Sequence, residues 1–256
     1  MHGNAAEGTV GKVNHDGNRP VVAEANDLTI LAPEYAEAVR QLWSGSLGRT
    51  VRCVPSRRTL QASDGGRLLY AKRYGTARGA DAEWRWLGQL AAAGFDVPAR
   101  VAHVRGPAAS MAVYAAVPGR SLDAWAVDAV REGWLGAWLD YVVAAVAPLA
   151  RRLHERGWVH RDLNLSHLFA VDPRRREPPA LIDVERVFRP RWRRRRWRVK
   201  DLASLLASCP DVVSGRAKRR FLLRYADGWG HSEVRALGRA VAAKAARIQG
   251  HTPRFG

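Results

Sequence analysis

The stretch Leu153-His154-Glu155-Arg156-Gly157-Trp158-Val159-His160-Arg161-Asp162-Leu163-Asn164-Leu165-Ser166-His167-Leu168-Phe169 decides the fold, together with Ala180-Leu181-Ile182-Asp183-Val184-Glu185 shortly after it. Upstream, residues 134–156 read as one long helix that stops at Gly157, a residue free to take the left-handed cap conformation. Downstream, residues 168–171 and 180–184 are short apolar runs around Asp172-Pro173-Arg174, which predicts a small hairpin. His160-Arg161-Asp162 therefore occupies the loop between helix and hairpin, and Asp183 ends the second strand.

Working outward, residues 50–54, 58–62 and 67–74 predict three short strands, the last two joined by the turn Ser63-Asp64-Gly65-Gly66. In the third, Leu68, Tyr70 and Lys72 share one face, and Leu69, Ala71 and Arg73 the other. A helix over residues 80–93 ends at Gly94, and residues 108–117 predict a further strand, broken by Pro118-Gly119. Beyond that dipeptide the pattern turns helical: Ser121 is placed to cap a short helix, and helices are predicted over 199–208, 217–227 and 233–248. Strands followed by helices give an α+β, two-lobed expectation, with an N-lobe over 29–118 and a C-lobe over 119–256. Residues 1–28 are rich in Gly, Asn and charge without periodicity, and read as a disordered tail.

Composition narrows the class. With 47% hydrophobic residues and 10 Trp the chain can bury a real core. Its first residues lack the apolar run of a secretory signal, and residues 134–150, the best apolar stretch, are interrupted by Asp140 and too short to span a bilayer. Cys53 and Cys209 make no disulfide framework and suit a reducing cytoplasm. The net charge of +18 comes almost entirely from arginine, since only positions 12, 72, 200, 218 and 244 are lysine. Codon bias produces such an excess. So does a partner that is nucleic acid, acidic lipid or a phosphorylated substrate, and bulk charge does not choose among them.

The segment around Asp162 resembles the protein-kinase catalytic loop, in which His-Arg-Asp-Leu follows a helix ending in Leu-His and a metal ligand comes five residues after Asp. The resemblance implies a protein-kinase-like fold for the two lobes, with Asp162 accepting or orienting the proton of an acceptor hydroxyl and Asp183 holding Mg²⁺ on the phosphates of ATP. It makes Lys72 the strand lysine on those phosphates and Glu83 its ion-pair partner, so that Asp162, Lys72 and Glu83 form the catalytic set. Arg57, Arg58, Ala115 and Val117 are candidate nucleotide contacts, and Arg161 and Asp201 supporting residues. Arg161 is expected to pair with nearby carboxylates, and Asp201 to accept hydrogen bonds from the catalytic-loop backbone.

Three further features resemble the lipopolysaccharide kinase (Kdo/WaaP) family, and within it the core heptose kinases. His167 stands where most kinases have Asn; an Arg- and Trp-rich run, residues 186–198, follows Asp183; and Val199-Lys200-Asp201-Leu202 comes directly after. The resemblance extends from about residue 48 to the end of the chain. Two departures stand out. No glycine-rich loop precedes Lys72, since the equivalent turn is Val54-Pro55-Ser56-Arg57-Arg58. An imidazole is also a weaker Mg²⁺ ligand than an amide oxygen, so His167 acts through water or Asp183 carries the metal.

Eight arginines lie between 186 and 198, and no Ala-Pro-Glu closes a peptide-binding segment there. The family resemblance implies transfer of phosphate from ATP to a sugar hydroxyl of the lipopolysaccharide inner core, heptose or Kdo. Arg193, Arg194, Arg195 and Arg196 would then gather the anionic glycolipid at the inner face of the cytoplasmic membrane. The rival readings are a protein Ser/Thr or small-alcohol kinase of the same fold, and a pseudokinase that only binds membrane or nucleic acid. No nucleic-acid-binding motif supports the last of these.

Overall fold

A computed structural model describes residues 27–250. The N-terminal part is built on β1 (Asp27–Ile30), α1 (Ala36–Ser44), β2 (Arg49–Val54), β3 (Arg57–Asp64), β4 (Arg67–Tyr74), α2 (Asp81–Ala92), β5 (Arg100–Arg105) and β6 (Ser110–Ala115). Its six strands form one antiparallel sheet in the order β1-β5-β6-β4-β3-β2. The C-terminal part continues with β7 (Arg120–Ser121), α3 (Leu122–Arg131), α4 (Leu135–Tyr141) and α5 (Ala147–Glu155), then β8 (Leu168–Ala170) and β9 (Ala180–Leu181). Helices α6 (Arg194–Ala207), α7 (Gly215–Tyr225) and α8 (His231–Gln249) complete it. Strands β7, β8 and β9 make a second small antiparallel sheet that carries the catalytic-loop region.

The alternation read in β4 explains how this sheet works. Leu69 and Ala71 are fully buried in a cluster with Val39, Leu42 and Trp43 of α1 and Met111 and Val113 of β6. Leu68, Tyr70 and Lys72 point the other way, into the cleft between the two parts. A second, larger cluster holds Trp138, Tyr141, Leu153, Leu165, Leu202 and Val241. Trp86, Leu87 and Leu90 of α2 belong to this larger cluster and not to the one under the sheet. The helix carrying Glu83 is thus cemented onto the helical half.

The long helix expected over 134–156 is continuous but not uniform, because residues 142–146 take π-helical hydrogen bonding between α4 and α5. Strands β1 and β5, helix α1 and the two-residue β7 were not anticipated. Strand β1 pairs with β5 and takes in Asp27 and Leu28, residues read as tail; the rest of that expected tail, residues 1–26, lies outside the described residues. Strand β5 escapes an alternation pattern because four successive residues, Val101 to Val104, are buried, with His103 stacked 5.4 Å from Trp84. Helix α6 begins at Arg194 and not near Val199, so the end of the arginine run is its first turn. Gly119 joins the two parts at φ +88°, and a Cβ there would lie 2.2 Å from the Ala170 carbonyl oxygen. Only glycine fits that hinge position.

Candidate active site

The floor of the cleft is a buried ionic cluster. Lys72 Nζ, delivered by β4, lies 2.7 Å from Glu83 Oε2 on α2 and 2.5 Å from Asp183 Oδ1 just beyond β9. Glu185 Oε2 stands 3.8 Å from the same ammonium and accepts a hydrogen bond from the Tyr74 hydroxyl at 2.5 Å. Burial alone would lower the Lys72 ammonium, but Glu83 and Asp183 outweigh it and raise it above the ordinary lysine value. Glu83 is fully buried, and this pushes its carboxyl up, with Lys72 pulling back only part of the shift. At Asp183 burial also works upward, yet the Lys72 ammonium, helped by His167 and Arg57, brings its carboxyl down to about 2.

His167 connects this cluster to the catalytic loop. Its Nδ1–H donates to the Asp162 carbonyl oxygen at 2.8 Å, and its Nε2 lies 3.5 Å from Asp183 Oδ2. An imidazole nitrogen and a carboxylate oxygen, both partly exposed to the cleft, form a donor set that fits a divalent cation. The carboxylates of Glu83, Asp183 and Glu185 also bring ligand atoms within 4.8 Å of one another, with Lys72 in their midst. Asp183 holds φ +56°, a left-handed conformation uncommon for a side-chain-bearing residue, and Arg161 holds φ +73°. Asp201 fixes the loop between them: its carboxylate accepts from His160 N–H at 2.7 Å and Arg161 N–H at 2.8 Å. His160 Nε2–H donates to the Ile182 carbonyl at 3.1 Å, tying the loop to the strand before Asp183.

Asp162 stands apart from that cluster, with Arg186 Nη1 2.6 Å from Oδ2 and Lys200 Nζ 3.4 Å from Oδ1. The long second contact leaves Oδ1 with accepting capacity for a hydroxyl. Above the floor, the cleft is walled by Leu68, Tyr70, Ala115, Val117, Phe169 and Ile182. The amides of Ala115 and Ala116 already donate to Ala99 and Leu68, whereas the Val117 N–H has no partner among the described residues. Val117 is therefore the backbone donor available to a planar ligand, and Ala115 contributes wall.

Three sequence expectations need correction. Arg58 does not face the cleft: neighbouring strand residues alternate sides, and it lies on the outer surface opposite Arg73. Arg57 does line the cleft, but its guanidinium is taken up by a hydrogen-bonded ion pair to Glu185, so it bridges the two halves. The Arg161 guanidinium meets no carboxylate among the described residues; it stacks against Phe188 and Trp197, each 5.7 Å away, with its Nε unpartnered. Arg193 takes the N-cap position of α6, and Arg194 to Arg196 occupy its exposed first turn. Glu185, Arg186, Lys200 and the cleft-lining Arg52 were missed. Glu185 carried one weak signal, its position two residues after Asp183.

Sheet, helical half and charged cleft floor together define a protein-kinase-like phosphotransferase. Residues 34–225 match the lipopolysaccharide kinase (Kdo/WaaP) family, and the chain belongs to it. Among solved structures it is similar to WaaP in complex with acyl carrier protein, at 26% identity and a TM-score of 0.68 over 88% of this chain and 98% of that one. An aminoglycoside-3'-phosphotransferase of type VIII is 24% identical, with a TM-score of 0.54 over 82% of this chain and 98% of the other. An aminoglycoside phosphotransferase from Streptomyces rimosus is 15% identical, with a TM-score of 0.55 over 82% and 97%. The two aminoglycoside enzymes bear on the fold alone. No curated protein matches the chain.

Replacing Lys72 with Met leaves Glu83 fully buried without its counter-charge, so its folded carboxyl rises further above the ordinary 4.5. The native state then holds a proton that the unfolded chain has released. Stability should fall by up to about 1.4 kcal/mol per pH unit as pH rises above that value, and over a wider range than in the parent. Urea unfolding of Lys72→Met between pH 5 and 8 measures this, and adding Glu83→Gln should flatten the slope.

Proposed function

We propose that the chain transfers the γ-phosphoryl group of ATP to a sugar hydroxyl of the lipopolysaccharide inner core, heptose or Kdo. The observation that carries this reading is the joining of Lys72, Glu83 and Asp183 on the cleft floor, next to a catalytic loop that presents Asp162. The same set favours an enzyme over a protein that only binds. Lys72 Nζ holds the phosphates, Glu83 keeps that ammonium in place, and the Val117 N–H and apolar walls seat the base. Asp183, with His167 Nε2, would hold a divalent metal that neutralises charge on the terminal phosphates. Asp162 Oδ1 takes the proton of the acceptor hydroxyl as its oxygen bonds to phosphorus and the bond to ADP breaks.

Asp162→Asn should reduce turnover by a factor of about 10² or more while leaving Mg·ATP affinity near that of the parent. Asp183→Asn should lose both turnover and metal-dependent nucleotide binding. Nucleotide calorimetry beside a turnover assay separates the two, and near-parental turnover in either variant would sink the assignment.

The exposed arginines of the 186–198 segment support an anionic acceptor surface. Among the described residues Arg191 and Arg193 to Arg196 form no ion pair, and Trp192 beside them is 80% exposed. A helix N-terminus already carries partial positive charge, so four arginines there are mutually unfavourable until something anionic covers them. We assign them to peripheral contact with anionic glycolipid at the inner face of the cytoplasmic membrane. Changing Arg193 to Arg196 together to Gln should raise the acceptor KM and reduce vesicle retention without altering ATP affinity. The parent's acceptor KM should also rise with salt, as charges are screened over about 8–10 Å. Unchanged acceptor KM and retention would remove this role.

The similar structure that contains acyl carrier protein supports one further partner. We assign the chain an acyl carrier protein as a partner. Adding carrier protein should then raise the melting temperature of the chain. An unchanged melting temperature would remove this role.

A further inference from the structure

Beside Asp162, on the side away from the nucleotide cleft, is a second recess formed by the catalytic loop, the start of α3, α6 and α8. Ser166 lines both spaces, so they adjoin across the loop. Arg outnumbers Lys by 37 to 5, the former being the 42 basic residues less the five lysines, yet both cations lining this recess, Lys200 and Lys244, are lysines. An arginine fork is wide and planar, whereas an ammonium is a compact charge with three donors that fits a single oxygen at close quarters.

The charges are also unevenly satisfied. Asp162 is already neutralised by Arg186 at 2.6 Å, which leaves Lys200 only a loose 3.4 Å contact to it. Lys244, half-buried on α8, forms no ion pair among the described residues. Asp123 is the one remaining acid in the recess, and it accepts from its neighbour Ala124 N–H. Ser204 and the amide group of Asn164 add uncharged polar groups suited to sugar hydroxyls. Counted with Arg186, which pairs with Asp162 from outside the lining, the groups here carry one positive charge in excess, next to the carboxylate that would receive the acceptor's proton.

We propose that this recess is the acceptor subsite, and that Lys200 and Lys244 recognise a phosphate or carboxylate on the sugar that presents its hydroxyl to Asp162. The inference rests on the phosphotransfer reading and adds a requirement to it: the sugar, not only the membrane around it, carries negative charge. Lys244 sets specificity. Lys200 links the bound anion to Asp162 and so couples recognition to the position of the reacting hydroxyl.

The test is binding of small probes to the full chain by ligand-observed NMR, with glucose 6-phosphate, glucuronate and glucose in the presence of saturating Mg·ATP analogue. At least one charged sugar should bind about tenfold or more tightly than glucose, the effect of one charge-assisted contact. Whichever of the two binds more tightly identifies phosphate or carboxylate as the group recognised. Lys244→Gln should reduce the charged sugars to the level of glucose without changing glucose itself, and Lys244→Arg should restore part of the preference. Equal binding of all three probes overturns the proposal, as does a preference unaffected by Lys244→Gln. Displacement of glucose 6-phosphate by the nucleotide analogue also overturns it, since the probe would then occupy the Lys72 cleft. Charge preference without phosphotransfer to any core sugar counts against the kinase reading alone, and phosphotransfer without charge preference counts against this subsite alone.

Discussion

One buried ammonium holds the cleft together. Lys72 is only 5% exposed, and an isolated charge at that depth would be very costly, so the fold has to bring it partners. The three partners come from two separate places: Glu83 from α2, and Asp183 and Glu185 from the turn after β9. Strand register, the seating of the helix and the closure of the two halves must all be right at once for the charge to be satisfied. Arg57 supplies a second cation against Glu185 from the neighbouring strand. Two cations among three carboxylates leave the floor with one negative charge in excess, which suits it to a divalent ion bound with phosphate.

The catalytic loop is held by a different logic, in which buried acceptors hold a backbone bent out of its ordinary range. Asp201 is fully buried on α6 and accepts two backbone amides of the loop, with His154 Nε2 3.2 Å from the same carboxylate. These contacts offset the left-handed conformation of Arg161, which costs roughly 1–2 kcal/mol for a residue with a Cβ. The bend is useful because it turns the Asp162 side chain away from the cluster and toward the second recess. His167 then spans the two regions with its two ring nitrogens, one on the Asp162 carbonyl and one toward Asp183.

What the sequence made legible follows from how local each signal is. The β4 alternation that separates Leu69 and Ala71 from Lys72 is a period-2 pattern within eight residues, and it can be read directly. The spacing of Asp162, His167 and Asp183 along a helix, loop and hairpin is local as well. The partners that escaped are joined only by tertiary closure. Arg57 and Glu185 are 128 positions apart, and Asp162 meets Lys200 across 38. Arg161 illustrates the same limit from the other side: its composition suggested a carboxylate, but the space beside it is filled by Phe188 and Trp197. The run of arginines was plain in the sequence, while its conversion into a helical first turn was not, because propensity alone gives no reason for a helix to start on four like charges.

The placement of α2 bears on how such an enzyme can be controlled. A helix that carries one half of an essential ion pair is an obvious lever, since swinging it outward would switch the cleft off. Here Trp86, Leu87 and Leu90 anchor it in the core of the helical half, each at 5% exposure or less. Swinging it would expose three large side chains, at roughly 1.5–3 kcal/mol apiece. The seating of α2 therefore keeps Glu83 against Lys72, and the cleft is built to remain assembled.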